Sequence, residues 1–139
     1  MTIKSTPEII GPQLELLASS FLVSLEQFQA TSQWNEVGKN NLHLVQERFK
    51  QMFNANKQRE NMVQLSHDAR QATELYDQLH KALSEKMGIT HYRAGTIIHQ
   101  VYCTLKFSKA GSKLDSREYG EIKSFFEFLR DEMMSASAP

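Results

Sequence analysis

The sequence predicts an all-α fold, a bundle of about five helices with one long, heptad-patterned central helix. Apolar residues recur at intervals of three and four from end to end, the period of a helix with one buried face. No alternating, β-branched run of strand length bounded by turn residues occurs. Gly38, Gly88 and Gly111 fall between the periodic segments, where helices stop and connections form. A chain of 139 residues suffices for one domain whose core needs neither disulfide nor metal. That domain is expected over residues 1–134, with a small, polar, disordered tail at 135–139.

Pro7 and Pro12 suit the first turns of helical segments, and Ile10, Leu14, Leu17, Phe21, Leu25 and Phe28 form an apolar stripe running to about Ala30. The polar stretch from Thr31 to Asn41, containing Gly38, reads as a connection. Leu42, Val45, Phe49 and Met52 then mark a shorter second helix, interrupted by Asn54 and Asn56. The third helix is the most regular: Met62, Leu65, Ala69, Ala72, Tyr76, Leu79 and Leu83 keep heptad spacing. It is expected to be the spine, with Ala69 and Ala72 allowing close approach, an Asp77–Lys81 pair outside, and Gly88 at its C′ position. The seam reads as an internal bundle core or, alternatively, as a homodimeric coiled coil.

Thr90 can cap a fourth helix, whose inward stripe is Ala94, Ile98, Val101 and Leu105 and which Ala110 and Gly111 stop. Asp115 with Glu118 three residues later is the pattern of a capping box. It opens a fifth helix lined by Tyr119, Ile122, Phe126, Leu129 and Met133 and widened by Phe125 and Phe128.

Lysine plus arginine and aspartate plus glutamate each number 16, so the formal charge is zero. The balance is uneven along the chain. Lys86, Arg93, Lys106, Lys109 and Lys113 lie in a stretch with no Asp or Glu, whereas Met1–Glu36 and Asp115–Pro139 are each net negative. On one continuous helix His99, Tyr102, Lys106, Lys109 and Lys113 share a ridge by their 3-4-3-4 spacing. Such a ridge suits a phosphate backbone: the cations offset phosphate charge, Tyr102 stacks on a base and His99 adds a pH-sensitive contact. Arg93 projects to a different side of that helix. The opposing reading is a solvated basic face paired with the acidic ends.

Other chemistries find little support. Asp77-x-x-His80 is half of a di-iron carboxylate motif without its second half, and His43 with Glu47 is one helical pair where a bundle site draws ligands from several helices. No metal, cofactor or catalytic residue is therefore expected. His67 and His80 read as polar flank residues of the third helix. Cys103 lacks a base at defined spacing and reads as a small buried apolar side chain. Asp131 and Glu132 beside Arg130 have the composition of a solvated surface. Met1–Glu8 lacks the marks of a signal peptide and the single cysteine forms no internal bridge, so a cytoplasmic protein without membrane association is expected.

The segment His80 to His99 resembles the helix-turn-helix of DNA-binding regulators, with Leu83, Met87 and Ile89 at packing positions, Gly88 at the turn, and Ala94 and Ile97 packing the second helix. It departs at Ser84, where the pattern favours Ala. In size, helical content and the basic stretch from Lys86 to Lys113, the whole chain is similar to the small helical subunits of CRISPR effector complexes. That resemblance implies a noncatalytic subunit packed among larger protein subunits and holding single-stranded or guide-paired nucleic acid through Lys and Arg. A helical adaptor or chaperone with an apolar groove for a protein partner, or self-association, accounts equally well for the heptad seam.

Overall fold

The computed structural model describes residues 14–106 and 114–133. Among these residues there are five α-helices and no strand: α1 (Leu14–Thr31), α2 (Glu36–Glu60), α3 (His67–Met87), α4 (His91–Lys106) and α5 (Ser116–Phe128). A single π-helical turn, Leu129–Met133, extends α5. Ile10, the prolines, the Ala110–Gly111 stop and the tail lie outside the described residues.

Helix α1 buries Leu14, Leu17, Phe21, Leu25 and Phe28, the stripe its spacing predicts. Its end differs from the expected long connection. Ser32 takes a left-handed backbone (φ 66°), and Asn35 already caps α2, its side-chain oxygen accepting the Gly38 N–H at 2.7 Å. Gly38 thus belongs to α2: a Cβ there would lie 3.1 Å from the Trp34 ring and 3.6 Å from Ser24 Cβ. Close approach of the Trp34 ring and the Asn35 cap, rather than a turn, is what uses this glycine. Trp34, within the stretch expected to be polar connection, is buried and stacks on Phe28 with ring centres 4.2 Å apart. Asn41 is buried as well and donates to Ser24 Oγ at 3.1 Å, so the polar character of this stretch serves helix capping and an interhelical lock.

With 25 residues, α2 is longer than α3, and Asn54 and Asn56 do not interrupt it. Asn at a helix position costs only a fraction of a kcal/mol, roughly 0.7 at most, which the burial of Val45, Phe49, Met52 and Ala55 offsets. The third helix begins five residues after Met62. Ser66 caps it by accepting from Ala69 N at 3.1 Å, while Met62 sits in the preceding turn with φ 60° and 92% of its surface exposed. The heptad seam is therefore shorter than the sequence pattern, and Leu65 precedes the helix. Helix α3 packs on α2 and α4, whereas α1 packs on α2 and α5. The centre of the molecule is thus shared by α1 and α2, not held by α3. Asp77 pairs across to Arg59 at the end of α2 (2.8 and 3.1 Å) instead of with Lys81.

Gly88 ends α3 in the left-handed conformation (φ 64°, ψ 39°) and Thr90 Oγ1 accepts from Arg93 N at the start of α4. Asp115 and Glu118 form the full reciprocal capping box of α5. Before it, Gln29 of α1 donates to the Leu114 carbonyl (2.8 Å) and accepts its N–H (3.2 Å), the pattern of a backbone partner supplied by a side chain. No helix among the described residues is long and apolar enough to cross a membrane.

Candidate functional site

Among the described residues, those proposed to meet phosphate do not converge. Lys86, at the end of α3, is ion-paired with Glu132 at 3.1 Å. Arg93 is exposed in the first turn of α4, on the side facing α5. His99 is exposed, its ring 5.5 Å from Phe53 and its Nδ1 3.6 Å from Cys103 Sγ. The Tyr102 ring is buried against Phe49 (5.7 Å) and Phe53 (5.2 Å), so the face expected to stack on a base is occupied by the core. Lys106 is exposed and lies 5.9 Å from that ring, a cation–π contact. Lys109 and Lys113 lie outside the described residues. Cys103 is half-buried rather than core.

What the helices do bring together is an apolar groove of about 630 Å³ between α3, α4 and α5. Its floor is Leu83, Ile97, Val101, Ile122, Phe125 and Phe128. Along α4 the wall is Arg93, Ile97, Gln100 and Thr104, and along α5 it is Arg117, Glu121, Ser124 and Phe128. Both follow the 4-3-4 spacing that keeps side chains on one helical face. The α4 wall is roughly 16 Å long at 1.5 Å rise per residue, the length of three helical turns. Ser116, Gly120 and Ser124 recur every fourth residue on α5, and a Cβ added at Gly120 would meet no atom within 4 Å. These small side chains leave the groove open. Met87, expected to pack in a helix-turn-helix core, is instead 53% exposed at its edge.

The sequence carried a signal for this face that the basic ridge obscured. Ile97 falls outside the inward stripe of Ala94, Ile98, Val101 and Leu105, and Phe128 falls outside the main stripe of α5. Apolar residues of that size beside an already complete core stripe indicate a second face in need of cover.

A smaller cavity of about 370 Å³ adjoins the groove along α4, lined by His80, His91, Tyr92, Gly95, Thr96, His99 and, in common with the groove, Gln100. His80 is no mere flank residue: its Nε2 is buried without a hydrogen-bond partner. Burial, then the neighbouring His91, hold its imidazole below the ordinary histidine value. Among the described residues no group of three or more His, Cys, Asp or Glu side chains is arranged to hold a metal ion. At the surface, Asp131 is kept below the usual carboxylate range by its hydrogen bond from Arg130.

Compared with known proteins, the chain matches no family model, no curated protein and no solved structure. The functional reading therefore rests on the geometry above.

Proposed function

We propose that this chain is a noncatalytic helical adaptor that receives an amphipathic helix of a protein partner in the groove between α3, α4 and α5. The observation that carries this reading is the apolar floor from Leu83 to Phe128, which the described residues leave uncovered over about three turns and edge with polar side chains. Helix-in-groove recognition needs those features and no reactive group. Covering such a floor removes apolar surface from water at about 25 cal/mol per Å², the dominant favourable term in association.

The test exploits Gly120. Gly120 lines the groove and a Cβ there meets no atom within 4 Å, so Trp at this position is introduced on the groove face, and replacing a mid-helix Gly keeps α5 favourable. A fluorescent 16-residue peptide with a leucine stripe at i, i+3, i+4 and i+7 should bind the wild-type chain, and Gly120→Trp should reduce the affinity at least tenfold at unchanged helicity. Equal binding by both forms defeats the reading.

A second reading retains nucleic acid as partner, favoured by exposed Lys106 within an acid-free stretch that also contains Lys109 and Lys113. It requires affinity for single strands whose log-log salt slope steepens by roughly 0.7 per phosphate contact. A mobility shift that is flat in salt, or absent, leaves the adaptor alone.

A further inference from the structure

We infer that the groove selects a partner helix bearing a carboxylate at one end of its apolar stripe, and that Arg93 is the residue that selects it. The inference rests on the adaptor reading and adds the charge of the partner. Three cations stand on or beside the groove, and two are already offset. Arg117 pairs with Glu121 at 3.5 Å one turn along α5, and Lys86 pairs with Glu132 at 3.1 Å. Arg93 has no carboxylate within ion-pair distance among the described residues.

Its position makes the positive potential larger. Arg93 lies in the first turn of α4, where the helix dipole is positive, and that turn contains no acidic residue. A cation is unfavourable there, and natural helices place Asp or Glu at such positions. The guanidinium lines the groove beside Ile97, so a partner lying on the apolar floor brings its own side chains within reach of it. A carboxylate from the partner would supply the missing counter-charge in a bidentate geometry that guanidinium favours. A lysine at the same place would face both Arg93 and the dipole, which rejects it. Fatty acids satisfy the same charge but leave unpartnered the polar residues along the wall, Gln100 and Thr104 on one side and Ser116 and Ser124 on the other.

The experiment compares two 16-residue peptides with the same leucine stripe, one carrying two Glu and the other two Lys at one end of it. Fluorescence anisotropy with the full chain at low salt should show the Glu peptide binding roughly fivefold tighter, the scale of a partly exposed ion pair. Arg93→Glu should invert the preference, and the exposure of Arg93 together with the gain of an acid in the first turn keeps α4 folded. Gly120→Trp should weaken both peptides alike. Equal binding of the two peptides, or a preference unchanged in Arg93→Glu, overturns the role of Arg93 and leaves the groove standing. Failure of both peptides to bind overturns the groove and the inference together. Saturable binding of oleate that is lost in Arg93→Glu, with neither peptide bound, would assign Arg93 to a lipid and also overturn it.

Discussion

His80 occupies space that Gly95 leaves to it: a Cβ on Gly95 would lie 2.8 Å from the His80 ring. Around this imidazole stand Tyr76 and Asp77 on its own helix, Arg59 at the end of α2, and His91 and His99 on α4. Tyr76 packs edge-on at 4.4 Å and the His91 ring is 6.2 Å away. Desolvation, then the charges at His91 and Arg59, disfavour the imidazolium; Asp77, itself held by Arg59, and a hydrogen bond with the His91 backbone oppose them. The folded-state pKa is therefore below the unfolded value of about 6.5. The sign follows by linkage: neutral His80 contributes its stability above pH 6.5, and the contribution is lost as pH falls below that value toward the lower folded-state pKa. Urea midpoints measured between pH 7.5 and pH 5 should decline, and His80→Gln should flatten the decline. If wild type and variant lose the same stability, other groups carry the effect. This site was not legible in the sequence, because His80 and Gly95 are on different helices and only their packing shows that one makes room for the other.

At the scale of one helix, two glycines make opposite predictions. Gly88 is left-handed at the end of α3, where any Cβ is strained, so Gly88→Ala should cost about 1 kcal/mol. Gly120 lies inside α5, and nothing meets its Cβ, so Gly120→Ala should stabilise by about 1 kcal/mol through helix propensity alone. Thermal melts of the two variants should shift in opposite directions; a loss at Gly120 would mean that α5 needs the groove to stay open beyond what local propensity describes. Caps were the most legible local feature. Gly88, Thr90 and the Asp115–Glu118 box act through residues three to four apart, and sequence spacing contains that information directly. Asn35 and Ser66 are equally local but fall inside stretches whose composition reads otherwise: a polar run with Gly38, and a heptad that continues back to Met62.

Across the whole molecule, aromatic rings join the helices that are distant in sequence. Phe21 of α1 meets Phe126 of α5 at 4.7 Å, and Phe49 of α2 meets Phe125 at 6.1 Å and Tyr102 of α4 at 5.7 Å. Phe126 is fully buried, and together with the Gln29–Leu114 hydrogen bonds it closes the first and last described helices on each other. Phe126→Ala should therefore cost about 3–5 kcal/mol from lost burial plus the cavity left behind. That is a large share of the roughly 5–15 kcal/mol that domains possess, so urea unfolding should show a much lower midpoint with the transition still cooperative. A cost below about 1 kcal/mol would mean that α5 is held elsewhere and that the groove it borders is not built on the core.

The sequence by itself determined the helical class, the core faces of α1, α4 and α5, and the caps of α4 and α5, because hydrophobic period and capping are properties of neighbouring residues. Only the tertiary structure decided that Tyr102 turns into the core, that Lys86 is met by Glu132, and that the second faces of α4 and α5 lie opposite each other as a groove. Those outcomes depend on which helix stands beside which. A helix's own spacing defines its faces, but the neighbour that covers or leaves bare each face comes from elsewhere in the chain, and the charge pattern along the sequence has no term for it.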